Sequence, residues 1–502
     1  MAEHVNAFHD DALGDSDAVD LADRIARREL TAAEAVDAAI ARAREVRPVL
    51  NGMAHEAFDT ARLNAGLPRD GYFAGVPTLV KDNVDLKGQP TNQGTTSYVG
   101  EPAKKHGSFT RRFLQLGVIP LGKSRLPEFG FNASTEYADA DPVPNPWNTA
   151  YSAGASSGGS ASYVAAGVVP IAHANDGGGS IRIPAAACGL VGLKPSRGRT
   201  PGEAMMQAMP VRIIYDGIVS RTVRDTAAFY REMEKVYRPR KLPPIGDVTG
   251  PSSRRLRIGF VNRSVLEDLD ADTRSGLEKT VALLESLGHR VDLVDVPVGE
   301  QFAEDFALYW SMMSYLLITT GKRSLHKSFD PSKVDNLTRG LYEDFARQRG
   351  SLPGAIRRLR GMSNLWSQKY AAYDAMLSPT LSHTTPKLGY ISPAESFEVH
   401  FDRLKKYVAF TPLQNVTGDP AISLPLAQTG NGLPIGMQFA AAHGDERTLL
   451  SLAYEIEQAA PWPLLSNYGH PTARHATAGH PTAAQALAGE SNVGQSTAAG
   501  RA

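Results

Sequence analysis

Between Gly154 and Pro184 the chain reads GASSGGS, then an apolar, Ala-rich passage, then NDGGGSIRIP. Glycine lacks a Cβ and admits φ > 0, so these two dense glycine turns let backbone N–H groups converge on a small anion or a developing oxyanion. Each turn carries a serine, Ser156 and Ser180, and each serine is a candidate nucleophile. Upstream, in GVPTLVKDNVD, Lys81 closes an apolar run. An apolar setting can hold a lysine neutral, and a neutral lysine is a base.

Composition narrows the function classes. The 53 Lys and Arg balance the 53 Asp and Glu, which leaves no electrostatic footprint for nucleic acid or an anionic membrane and favours a small neutral substrate. A single cysteine, Cys188, excludes an internal disulfide and a multi-cysteine metal site, and reads as a small buried packing residue. The first thirty residues are acidic and mixed, with neither a basic n-region nor an apolar h-region, and no stretch of about 18 apolar residues follows. These features describe a soluble, cytoplasmic protein. The 502 residues accommodate one large catalytic body with insertions.

Residues 17–47 read as two helices, the second opened by Thr31 and Glu34 as a capping box and closed before Pro48. An N-terminal helical layer over 1–70 precedes a core at 71–245, where short β-rich runs (VPTLV, VIPLG, LVGLKP) alternate with helical ones. The Pro-rich RPRKLPPIGDVTGPSS opens an inserted region, 246–405, that begins with a strand, helix, strand pattern and continues helically over 301–375. There Trp310, Met312, Met313, Tyr315 and Leu316 serve as helix core or as a pocket wall. AISLPLAQ, GLPIGMQF and a last helix return the chain to its core over 406–465, and the Ala, Gly, Thr, His and Ser of 466–502, with GHPTA twice, read as a disordered tail.

A serine hydroxyl needs a base within reach. One solution is a serine, histidine, acid triad: GASSG fits G-x-S-x-G with Ser156 as nucleophile, and Asp374 and His400 follow in order. The residues before Gly154, NPWNTAYSA, are polar and Pro-broken, a poor strand for a nucleophile elbow. The second solution is a relay. Ser180 attacks, the N–H groups of Gly177, Gly178, Gly179 and Ser180 line an oxyanion site, and Ser156, 24 residues earlier, passes the proton to Lys81.

GVPTLVKD, GASSGGS, NDGGGSIRIPA, GLKPSRGR, NVTGDPAISLP and GLPIGMQ together resemble the amidase signature family, over roughly residues 15–465. The resemblance implies an α/β amidase-signature fold, with a mixed central β-sheet covered by helices on both faces. It also implies Ser180 as nucleophile, Ser156 as a bridging serine on a cis peptide bond, and Lys81 as base. Asp176 then orders the loop and Arg182 is a buried structural arginine. The implied reaction is cofactor-free and metal-free hydrolysis of a linear small-molecule amide through an acyl enzyme, and the family suggests a homodimer. Within the family the chain looks most like actinobacterial stand-alone amidases and the 6-aminohexanoate cyclic-dimer hydrolase branch.

Asn175 and Gly177 stand where the family usually has threonines, which suggests a roomier or more flexible oxyanion loop. Ile183 replaces the glutamine of tRNA-dependent amidotransferase subunits and argues against an ammonia-delivering subunit. A non-catalytic binding protein on the same fold is the other alternative, against which all three catalytic positions are retained. Met205, Met206 and Met209 read either as an adaptable apolar wall near the site or as core.

Overall fold

The computed structural model describes residues 4–296 and 298–468. Residues 469–502, which hold both GHPTA copies and most of the expected disordered tail, lie outside the described residues. The strands are β1 (Met53–Glu56), β2 (Pro77–Lys81), β3 (Ile119–Ser124), β4 (Pro144–Asn145), β5 (Asn148–Ser152), β6 (Ile171–Asp176), β7 (Val191–Lys194), β8 (Tyr215–Ser220), β9 (Arg257–Phe260), β10 (Arg290–Leu293), β11 (Ala375–Pro379), β12 (Ala421–Gln428) and β13 (Pro434–Ala440). Eight of them form a mixed central sheet in the order β10-β9-β11-β13-β12-β7-β8-β6. The β10, β9 and β11 pairs are parallel and the others antiparallel. This is the mixed α/β architecture expected from the sequence, and the strand, helix, strand unit of the inserted region supplies one edge of that sheet.

A three-stranded sheet, β1-β3-β2, lies against the β6 edge. Side chains join the two where the backbone ladder stops: the Thr78 hydroxyl donates to the Ile171 carbonyl at 2.9 Å, and the Lys81 N–H donates to His173 Nδ1 at 3.2 Å. Both β2 and β6 are buried throughout, as the continuous apolar run VPTLV requires of β2. Between them and the rest of the core runs the helix Gly158–Ala165, GGSASYVA, buried on every side. Small residues permit that close approach; a Cβ on Gly159 would meet the Gly52 carbonyl oxygen at 2.4 Å.

Thr31 and Glu34 form the expected capping box, but the helix they open, Ala32–Leu50, runs through Pro48. Proline costs the interior of a helix one hydrogen bond, and here it falls in the last turn, two residues before the end. The stop is set instead by Asn51, left-handed at φ 47°, whose N–H returns to the Arg47 carbonyl. In the inserted region the helices Glu300–Ser324, Asn336–Gln348 and Leu352–Lys369 pack their own apolar cluster around Tyr309, Met312, Phe345 and Leu359. Among the described residues no helix is long and apolar enough to cross a membrane.

Candidate active site

Three chain segments converge on the Lys81 ammonium. Lys81 ends β2, Ser156 and Ser157 fill the turn before the Gly158–Ala165 helix, and Asn175 lies near the end of β6. Lys81 Nζ is 2.7 Å from Ser156 Oγ, 3.0 Å from Ser157 Oγ and 2.7 Å from Asn175 Oδ1. The side chain is wholly buried. Burial lowers its pKa to about 7, against the opposing pull of Asp216 and Asp176. A lysine so placed is present in comparable amounts as ammonium and as amine at neutral pH. As an amine it donates to Ser157 and Asn175 and turns its lone pair toward the Ser156 hydroxyl.

The Ala155–Ser156 peptide bond is cis, as the resemblance implies. Gly154, in front of it, has φ 72°, and a Cβ there would meet the Pro184 backbone at 2.9 Å. The turn carrying Ser156 is thereby packed directly onto the helix Arg182–Cys188 that follows Ser180. Ser157 makes a second tie, its hydroxyl donating to the Ser180 carbonyl at 2.6 Å while it accepts from Lys81. Ser180 itself lies on the wall of a cavity of about 750 Å³, counting the open mouth.

Asp176 organises the loop between them. Its carboxylate accepts from the Gly179 N–H at 2.7 Å and the Ile181 N–H at 3.2 Å, and pairs with Arg182 at 2.9 Å. Burial alone would raise its pKa, but the Arg182 charge and these donors outweigh it and hold the group at about 2. Arg182 in turn is buried and donates to Gln438 at 2.5 Å and Asn415 at 2.6 Å. Gly179 therefore departs from the expectation that it serves an oxyanion, because its N–H is already engaged by Asp176. The N–H groups of Gly177, Gly178 and Ser180 meet no acceptor among the described residues. Gly179 has φ 131° and a Cβ there would meet Thr411 Oγ1 at 2.4 Å, so only glycine fits.

Other expectations are corrected. The Asn175 side chain is engaged away from the loop, its Oδ1 accepting from Lys81 Nζ. Nor is the space at Gly177 open, since a Cβ there would lie 3.2 Å from Ile214 and 3.5 Å from Trp310. Asp374 pairs with Arg254 and accepts from the Arg257 N–H at 2.8 Å, while His400 is buried with Nε2 3.0 Å from Asn132 Oδ1. Burial lowers His400 to about 4, and neither residue partners a serine, so the Ser156, Asp374, His400 triad does not form. The residues before Gly154 do form a strand, β5, but it pairs with β4 in a hairpin outside the central sheet and bridges Lys387 through Tyr151. Met205 is exposed, and none of Met205, Met206 and Met209 lines the cavity at Ser180. Trp310 does line it, whereas Met312 is core and Leu316 is exposed. Cys188 is buried, and burial pushes its thiol pKa up, as a packing residue requires.

Sequence reasoning missed His173 and Asp216. Buried His173 accepts the Lys81 N–H at Nδ1, so its Nε2 carries the proton toward Asp216 Oδ1, 3.1 Å away. Its ring stacks on Phe109 at 4.6 Å. Burial lowers its pKa despite Asp216, and a neutral imidazole fixes the strand end that carries Lys81. The alternation of β6 held the signal, since His173 and Asn175 are two residues apart and so share a face. Among the described residues no group of three or more His, Cys, Asp or Glu side chains is placed to hold a metal ion.

Residues 34–450 match the Amidase family model. The chain is 51% identical over 461 residues to a Mycobacterium leprae protein named "Putative amidase AmiC", covering 92% of this chain and 98% of that one. It is 31% identical over 471 residues to the 6-aminohexanoate-cyclic-dimer hydrolase of Paenarthrobacter ureafaciens, covering 89% of this chain and 95% of that one. A solved structure of 6-aminohexanoate cyclic dimer hydrolase complexed with substrate superposes with a TM-score of 0.81 at 30% identity, over 89% of this chain and 97% of that one. With its mixed sheet and this match over most of its length, the chain belongs to the amidase signature family of amide-hydrolysing enzymes.

Proposed function

We propose that this protein hydrolyses a small-molecule carboxylic amide through a Ser180, Ser156, Lys81 relay and an acyl-enzyme intermediate. The observation that carries the reading is the 2.7 Å approach of Lys81 Nζ to Ser156 Oγ in a buried setting that lowers Lys81 to about 7. A base in that range both takes and returns a proton near neutrality.

In the first half-reaction Ser180 Oγ attacks the amide carbon, its proton passes to Ser156, and the Ser156 proton passes to Lys81. The carbonyl oxygen becomes an oxyanion stabilised by the N–H groups of Gly177, Gly178 and Ser180. Collapse breaks the carbon–nitrogen bond as Ser156 protonates the leaving nitrogen and is reprotonated by Lys81, releasing ammonia or an amine. Water then attacks the Ser180 ester, giving its proton to the same relay, and the carboxylate product leaves with Ser180 restored. Asp176 and Arg182 take no proton; they hold the loop.

The test is labelling with a fluorophosphonate alongside amide turnover. Wild type is labelled at Ser180 and hydrolyses amides, and Ser180→Ala does neither. Full activity in Ser180→Ala, or labelling at another serine in active protein, refutes the assignment.

A further inference from the structure

The cavity at Ser180 has a wall of one chemistry. Phe302, Phe306 and Trp310 recur every fourth residue along the helix Glu300–Ser324, which places them on one face. Their rings stack successively, with centroids 6.3 Å and 5.8 Å apart and both interplanar angles 23°. The row reaches the reacting loop itself: a Cβ built on Gly178 would lie 3.4 Å from Phe306 and one on Gly177 3.5 Å from Trp310. Trp310 is held edge to face by Phe131 at 5.6 Å, and its Nε1 donates to the Phe131 carbonyl at 3.2 Å. The indole therefore offers a ligand only its apolar surface.

The polar side chains on the wall are few. Asn132 is spent internally, donating to the Ile391 carbonyl at 2.9 Å and accepting from the Ala133 N–H at 2.8 Å, besides its contact with His400. Ser180 is the reacting group. Among the described residues the one ionisable side chain lining the cavity is Lys405, on the helix Phe397–Tyr407, half-buried with its ammonium 5.1 Å from the Phe401 ring centroid. Its neighbour Lys406 pairs with Asp402, but Lys405 has no carboxylate partner among the described residues.

We propose that the substrate's acyl group is an aromatic or extended alkyl body laid along the Phe302, Phe306 and Trp310 row, and that Lys405 admits a neutral or anionic far end and rejects a cationic one. This rests on the Ser180 hydrolase reading above. An apolar wall gains affinity from each methylene removed from water and has no acceptors for a charge. A lone ammonium at the edge of an apolar-walled cavity repels a like charge and attracts an opposite one.

The experiment uses the full chain and measures ammonia release from acetamide, hexanamide, benzamide, adipic acid monoamide and 6-aminohexanamide, with fluorophosphonate labelling of Ser180 in parallel. The expected kcat/KM rises by about threefold to fourfold per methylene, so hexanamide exceeds acetamide on the order of 100-fold. Adipic acid monoamide exceeds 6-aminohexanamide at least about tenfold in wild type. That ratio collapses in Lys405→Met and inverts in Lys405→Glu, while labelling of Ser180 persists. Trp310→Ala lowers hexanamide turnover more than acetamide turnover; should it fail to fold, the two Lys405 variants decide alone. Equal or better turnover of acetamide or of the cationic amide, or a charge ratio unmoved in Lys405→Glu, overturns the proposal while the hydrolase reading stands. Absence of both labelling and turnover removes both.

Discussion

Asn175 Oδ1 accepts a 2.7 Å hydrogen bond from Lys81 Nζ and a second, at 3.2 Å, from Asn83 Nδ2. Two donors on one atom fix the amide so that its oxygen faces the amine. Lys81 thus has a neutral acceptor where a carboxylate would be nearly isosteric, and that choice keeps its proton affinity low. Asn175 does not line the cavity, so its effect on the reaction passes through Lys81.

Replacing that oxygen's neutrality tests the point. In Asn175→Asp an ion beside a buried ammonium favours the charged form, raising the Lys81 pKa by about 1 to 3 units. The acid limb of kcat/KM against pH, set near 7 in wild type, moves upward by the same amount. At pH 7 kcat falls by about tenfold or more with KM little changed, and activity returns at alkaline pH. An unshifted limb shows that Asn175 does not tune the base.

Stability carries the same signature. The folded-state pKa of Lys81 is depressed to about 7 from 10.5, so between these values the unfolded chain binds the extra proton and stability rises with pH. Compared with Lys81→Met, the unfolding free energy of wild type therefore climbs by about 1.4 kcal/mol per pH unit above pH 7 and is level below it. Urea melts of both proteins between pH 6 and 9 give the difference. A flat difference across that range places the lysine in a better-solvated setting than its burial implies.

What the sequence disclosed and what it hid divide along a physical line. Lys81 at the end of VPTLV and Ser156 in GASSGGS were legible because one follows from an apolar strand and the other from a turn, both local properties. The strand, helix, strand unit that forms β9 and β10 and the late strands β12 and β13 are legible for the same reason. The contact of Asn175 with Lys81 is not legible in the sequence, because which face of β6 meets β2 is settled by packing between sheets, not by β6 itself. His173 went unseen for that reason too. Met205 was misplaced because a three-methionine run has the same sequence whether its short helix is exposed or buried.

The Asp176 and Arg182 pair is a structural clamp with a measurable worth. Asp176→Ala leaves the buried Arg182 guanidinium without its anion and strips the Gly179 and Ile181 N–H groups of their acceptor. A loss of about 3 to 5 kcal/mol follows, read from urea midpoints. In wild type the Asp176 contribution is present above its ordinary range near 3.8 and is lost as pH falls toward about 2. Asp176→Ala removes that acid-side slope, and a variant as stable as wild type at pH 7 refutes the clamp.

Gly177 is where loop and wall meet. Its φ suits any residue, so restoring a threonine there is a matter of space alone. The new Cβ would stand 3.2 Å from Ile214 and 3.5 Å from Trp310, and the branch beyond it must enter one of them. Gly177→Thr consequently costs about 1 to 3 kcal/mol of stability by overpacking. Trp310→Ala opens that space, so the double variant Gly177→Thr/Trp310→Ala is more stable than the two single losses add up to, with a coupling of about 1 kcal/mol or more. Additive losses in the cycle separate the two residues. Because Trp310 is displaced in Gly177→Thr, preference for long over short acyl groups falls in that variant even as Ser180 continues to react with a fluorophosphonate.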